Sequence, residues 1–274
     1  MTGSQERWRR LPMACGGGAE LLAGVEGMLA GLEETHRPAI RWSTLAYPTL
    51  FLGSSQRPTE VDLAAAAAAG VAVHKRRSGG TAVFADRQHL WLDVALPAGH
   101  RLLLPDITAS YRWFGEVWAA ALARVGIEAR VVEPDEAREL NAALDPEVRR
   151  ACFGGVSPYE VLVGNSKIVG LAQIRRRPGG LFQAGIYRHW EPERVAELLG
   201  GSEAERQERT RLLRGRAIGI EELAGESVTL DDVCCAWEGA LADNLGVELV
   251  EEGWTEEELA ASAAARDRYE ALRR

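Results

Sequence analysis

The chain has 274 residues, enough for one large domain or a main domain with an appendage. Its 46% hydrophobic and 26% charged residues exclude disordered and fibrous classes, and its net charge of -8 argues against a general attraction to nucleic acid or anionic lipid. Two local basic runs stand against that background, "HKRRSGG" at 74–80 and "IRRRPGG" at 174–180.

No apolar stretch approaches the roughly 20 residues that span a bilayer, and the polar start "MTGSQERWRR" lacks the apolar core of a signal peptide. The four cysteines, Cys15, Cys152, Cys234 and Cys235, show no CxxC or Cys/His spacing for a metal. We expect a cytoplasmic protein with reduced thiols and no metal.

In chain order, apolar spacing predicts a helix over 17–32, and "RWSTLAYPTLFLGSSQ" then alternates towards a β run ending at Gly53. Asp62 opens a helix to Ala69 that stops at Gly70, followed by the strand "VAV". The basic, Gly-rich turn at 74–80 separates β-prone runs, Asp86 marks a polar break, and "LWLDVAL" is a long strand. Asp106 to Gly126 bounds an amphipathic helix with Trp113, Phe114, Val117 and Ala121 facing the core.

The segment "IEARVV" predicts a strand and a polar connection up to Arg150. Beyond it, β runs at 159–163, 167–174 and 181–187, separated by "GNS" and "RRRPGG", predict an antiparallel meander. The remainder is charged and mainly helical. Hairpin strands with helices to the side give an α+β fold with a mixed, mostly antiparallel sheet, and no GxGxxG or GxxxxGK[ST] points to a doubly wound nucleotide-binding sheet. The expected division is a catalytic domain over 1–215 and a helical C-terminal segment over 216–274.

Three local features can carry chemistry. In "RRSGGTAVF" the adjacent glycines can bring backbone N–H groups against an anion beside Arg76 or Arg77, and the same dipeptide also makes a plain hairpin turn. Lys167 is an ordinary turn lysine or a cation that polarises a carbonyl, with Gly170 and Ala172 leaving one strand face open for a thin substrate. Cys152 is a small buried hydrophobe or, in the backbone-rich loop "CFGG", a nucleophile.

Taken together, "KRRSGGTAVFAD" (75–86), "KIVGLAQ" (167–173) and "LFQAG" (181–185) resemble the lipoate-protein ligase A and octanoyltransferase family, which shares its fold with the biotin ligases. The resemblance covers about residues 20 to 200. Within it, "CFGGVSPYEVLVGNSK" is similar to the cysteine-dependent acyltransferase branch, with Cys152 fifteen residues before Lys167.

The resemblance implies that Cys152 accepts an octanoyl or lipoyl group as a thioester and that Lys167 polarises the thioester carbonyl and orients the incoming amine. It also implies that Arg76, Ser78, Gly79, Gly80, Thr81, Ala82 and Asp86 bind substrate, and that Gly170, Ala172 and Gly185 line a tunnel for an eight-carbon chain. Each buried methylene then contributes about 0.8 kcal/mol. The implied partners are an acyl carrier protein and a lipoyl-domain protein, such as a glycine cleavage H-type protein or a dehydrogenase E2 subunit.

The transferase reading requires no cofactor. Its alternatives are an ATP- and Mg-dependent ligase, for which the C-terminal segment is short, and an acyl-binding relative without catalysis. The chain departs from the family pattern at Ala85 and Ala184, where relatives carry histidine, and at Thr81, a glycine in many ligases. These departures bear on activity, and His89 could stand in for a missing imidazole only if its loop folds back. The Arg175 to Arg177 turn is a solvated hairpin or a docking patch for an acidic carrier.

Overall fold

A computed structural model describes residues 5–142 and 144–272. Its strands are β1 (Glu6–Arg10), β2 (Ala14–Gly16), β3 (Ala39–Leu45), β4 (Thr49–Leu52), β5 (Ala72–Lys75), β6 (Val83–Ala85), β7 (His89–Pro97), β8 (Arg130–Val131), β9 (Val161–Val163), β10 (Ser166–Arg176), β11 (Gly179–Tyr187) and β12 (Val247–Glu251). The main sheet runs β12-β1-β3-β7-β11-β10-β9-β8, with β2 also on β3; a smaller sheet runs β5-β4-β6. Pairs from β3 through β7, β11, β10 and β9 to β8 are antiparallel, while β12, β1 and β2 join in parallel. The architecture is the expected α+β fold.

Strand β7 explains the layering. Leu90, Leu92, Val94 and Leu96 alternate onto one face, where they meet Trp113, Phe114 and Trp118 of the helix Arg112–Arg124 and Trp237 of the helix Leu230–Leu245. Each of these buried aromatic side chains contributes about 2–3 kcal/mol by leaving water. His89, Trp91 and Asp93 project from the opposite face, because side chains alternate along a strand. The helix Gly18–Thr35 and the small sheet cover that side.

Local chemistry accounts for several boundaries. Asp62 Oδ1 accepts from the N–H groups of Ala64 and Ala65, capping the helix Leu63–Ala68. Asp106 caps a turn that becomes the short 3-10 helix Ala109–Tyr111, so the regular helix starts only at Arg112, five residues later than its cap suggests. The expected β run after residue 41 splits at Pro48 into β3 and β4, which enter different sheets. The polar connection before Arg150 contains the helix Pro134–Ala142.

The 216–274 segment is not wholly helical. Its strand β12 pairs with β1 at the edge of the main sheet, where Glu258 of the helix Glu256–Ala265 meets Arg9 in a fully buried ion pair of 2.6 Å. Helical propensity on both sides of "VELVE" masked a strand whose partner lies some 240 residues away. No helix among the described residues is long and apolar enough to cross a membrane.

Candidate active site

In-register pairing sets two rows across the inner face of the main sheet. One is Ser43, Trp91, Gly185 and Gly170; the next is Arg41, Asp93, Gln183 and Ala172. Two glycines side by side leave a groove in the first row, and a narrow slot of about 20 Å³ lies over it. Phe153, Val83, Trp91 and His89 wall this slot, and Cys152 and Arg76 stand at its lining.

Cys152 opens a 3-10 turn, Cys152–Gly154, that is held rather than loose. Its N–H donates to Ala82 O (2.9 Å), and Ala82 N–H donates to Arg150 O (3.2 Å), so the turn is stitched to the end of the Gly-rich segment. Gly80, at φ +89°, passes so close that a Cβ there would sit 3.3 Å from Cys152 Sγ and 2.7 Å from Arg76 Nη2. A side chain at this position would meet both strain and contact. Arg76 is buried, with Nη1 donating to Ser78 Oγ (2.8 Å) and Nη2 to Thr81 O (3.0 Å) while lying 4.0 Å from Sγ.

Lys167 is 1% exposed, which excludes the solvated-turn reading. Its Nζ donates to Cys152 O (2.9 Å), lies 2.7 Å from Glu160 Oε2, and sits 5.4 Å above the Phe153 ring. Glu160 is equally buried and also accepts from Ser157 N–H (2.6 Å) and Leu171 N–H (3.1 Å), so the carboxylate is fully satisfied. Tyr159, at φ +65°, makes the backbone turn that aims Glu160 inward. An ammonium has three donors; among the described residues Nζ uses two of them.

Not every expected residue reaches the slot. Arg76, Cys152, Gly170, Ala172 and Gly185 line it, while Ser78, Thr81 and Ala82 act through Arg76 and the Cys152 turn. Gly79 faces open space, and Asp86 caps its own turn by accepting from Gln88 N–H (2.8 Å). Glu160 was visible only as part of the "YE" motif. Arg216 was not visible at all: its Nε donates to Gly154 O (2.9 Å), its carbonyl accepts from Lys167 N–H (2.9 Å), and it lies beyond the expected domain boundary.

His89 does enter the site, from the start of β7 and without a refolded loop. It stacks on Tyr187 at 4.3 Å, and its Nε2 lies 2.5 Å from where a Gly185 Cβ would be. Both ring nitrogens are buried without a hydrogen-bond partner among the described residues, and burial pushes the imidazole pKa down to about 3. Folded His89 is therefore neutral where the unfolded chain, with a pKa near 6.5, takes up a proton. Below pH 6.5 the unfolded state gains, by about 1.4 kcal/mol per pH unit until the folded group titrates near 3. Stability curves of wild type and His89→Leu should converge or cross in the variant's favour between pH 6.5 and 4, and a pH-independent gap would refute this.

Beyond Trp91 and Gln183 a second, very small cavity of about 10 Å³ lies towards Leu22 and Val25. Its polar side is closed by Asp93, which pairs with Arg41 at 2.6 Å and accepts from Gln183 Nε2 at 2.7 Å. The arrangement is two small, mostly apolar spaces that share Trp91 and Gln183, with a thiol at the far side of one and a neutralised polar row beside the other. No group of three or more potential metal ligands occurs among the described residues.

This architecture and site have counterparts. The family model for the lipoyl protein ligase A/B catalytic domain matches residues 22–242, and the chain belongs to that family. Among its relatives is an octanoyltransferase LipM from Kyrpidia tusciae, 32% identical over 95% of this chain and 97% of that protein. Another is an octanoyltransferase LipM from Clostridioides difficile, 28% identical over 92% of each chain.

Among solved structures, the bi-partite lipoate protein ligase of Thermoplasma acidophilum superposes with a TM-score of 0.78 at 22% identity, covering 96% of this chain and 93% of that one. A lipoate-protein ligase A bound with ATP gives 0.74 at 22% identity, covering 96% and 95%. These two establish the shared fold.

Proposed function

We propose that the protein moves an octanoyl group from a thioester donor onto a lysine of a lipoyl-domain protein, with Cys152 as the covalent carrier. It is an octanoyl/lipoyl transferase of protein lipoylation, in keeping with relatives named for octanoyl transfer that match nearly its whole length. The observation that carries the covalent route is the position of Cys152: a thiol at the lining of an apolar slot, flanked by a buried guanidinium and joined through its own carbonyl to a buried ammonium.

In the first half-reaction the Cys152 sulfur attacks the donor carbonyl, the carbon–sulfur bond to the donor breaks, and the donor leaves as a thiol after taking a proton. In the second, the acceptor amine attacks the Cys152 thioester, an amide forms, and the proton lost by the amine returns to Cys152. The third donor of Lys167 Nζ is available to the carbonyl oxygen as negative charge develops there. Arg76 places positive charge beside the sulfur through both steps. The slot over Gly170 and Gly185 takes the acyl chain, and the two family histidines replaced by Ala85 and Ala184 are not required by this route.

The reading assigns the protein no cofactor. Purified protein, an octanoyl carrier-protein thioester and a lipoyl domain should give octanoylated domain in the absence of ATP and Mg. Product formed only from free octanoate or lipoate with ATP would replace this reading by the ligase one.

A further inference from the structure

Beside the mouth of the slot lies an open cleft of about 410 Å³ lined by Ser54, Lys75, Arg76, Arg77, Arg268 and Tyr269. Four of its six residues are cations in a chain of net charge -8. Arg77 is partly neutralised by Glu26 at 3.4 Å, and Glu26 also accepts from Tyr269 Oη (2.5 Å). Among the described residues, Lys75 and Arg268 are exposed and have no carboxylate partner. Arg76 is shared with the slot, is 3% exposed, and its Nε has no hydrogen-bond partner among the described residues.

The C-terminal segment supplies two of the six lining residues, Arg268 and Tyr269, and is fixed in place. His74 Nδ1 donates to Tyr269 O (2.6 Å), Leu272 N–H donates to Val73 O (2.7 Å), and Arg266 pairs with Glu20 (2.7 Å). The segment therefore runs along the free edge of β5 and holds Arg268 opposite Lys75. Arg268 and Tyr269 lie beyond the residues matched by the family model, while Ser54, Lys75, Arg76 and Arg77 lie within them.

What can occupy the cleft follows from reach. A lysine side chain holds its own backbone about 6 Å from the carbon it attacks. When an acceptor lysine reaches a thioester on Cys152, the residues beside that lysine must therefore come down on the rim next to Arg76. Cations there are repelled and carboxylates are drawn in. The other basic run, Arg175 to Arg177, sits at the far end of β10, its backbone roughly 25 Å or more from Lys167 by strand rise.

We propose that Lys75 and Arg268 form a docking cleft for the acidic residues flanking the target lysine of the acceptor domain. The inference rests on the transferase reading for the identity of its partner. It makes the C-terminal segment part of acceptor selection, favouring lysines with acidic neighbours over other surface lysines.

The test is direct binding of a lipoyl domain by titration calorimetry, which requires no turnover, alongside acylation of Cys152 followed by intact mass. Arg268→Glu should weaken binding of the domain about tenfold or more at low salt, and Lys75→Glu should do the same. Replacing the acids beside the target lysine by lysine should restore binding to Arg268→Glu. The milder Arg268→Gln and Lys75→Gln should each give a smaller loss with an unchanged unfolding temperature, which separates docking from misfolding.

Unchanged acceptor binding in the reversed-charge variants would overturn the proposal, as would loss of donor carrier-protein binding with acceptor binding intact. A wild-type protein that binds the domain through these residues but never acylates Cys152 would sustain the cleft while refuting the transferase mechanism.

Discussion

Lys167→Met should destabilise the protein by about 3–5 kcal/mol and abolish most acyl transfer, an unusually large double effect for a residue one position into a strand. The reason is that Lys167 and Glu160 are each about 1% exposed and 2.7 Å apart. Removing the cation leaves a carboxylate buried with no countercharge, and also frees Cys152 O. The double variant Lys167→Met/Glu160→Gln should recover most of the stability, because a buried ion pair replaced on both sides costs far less than one broken on one side.

Activity should not follow stability. If the spare donor of Lys167 stabilises charge on the thioester carbonyl, the double variant stays about 10²–10³-fold down in kcat, although it is folded. Thermal unfolding and single-turnover acylation, measured on the same samples, check both halves. Recovery of activity together with stability would reduce Lys167 to a structural role.

Cys152→Ser carries the second large effect. The substitution exchanges one atom in a turn held by backbone bonds from Cys152, Ala82 and Gly154, so the unfolding temperature should barely move. Transfer, by contrast, should fall by roughly four orders of magnitude or more, as it does when an enzyme loses the nucleophile of a covalent route. Rates of octanoyl-domain formation from the carrier thioester, without ATP, read this directly. Transfer at the wild-type rate would remove the covalent intermediate.

Much of this was legible in the residues, for identifiable reasons. The meander from β9 to β11 was readable because its turns, "GNS" and "RPGG", are local and its strands alternate. Gly170 and Ala172 were readable as an open strand face because period-2 geometry needs no partner to be known. Cys152 and Lys167 were readable as a pair only through their joint spacing with the Gly-rich segment. Neither residue distinguishes itself from a buried thiol or a turn lysine alone.

The remainder depended on contacts distant in sequence. Strand β12 forms because β1 offers it an edge, which no window around "VELVE" contains. Glu160 becomes a site residue through burial against Lys167, Arg216 through a bridge to the same lysine, and Arg268 through the fold-back of the C-terminal segment onto β5. Asp86, expected from its motif to bind substrate, accepts from Gln88 N–H in the turn before β7. Burial of His89 likewise replaced a refolded-loop explanation with a simpler one, since the first residue of β7 already points into the slot.

The central claim is that the acyl group rests on Cys152 between donor and acceptor. It is tested most directly by incubating the protein with the octanoyl carrier-protein thioester, omitting acceptor, and locating the adduct by peptide mass spectrometry. The account predicts one octanoyl group on the peptide that contains Cys152, discharged when lipoyl domain is added and absent from Cys152→Ser. An unmodified Cys152 in a protein that nonetheless octanoylates the domain would contradict it.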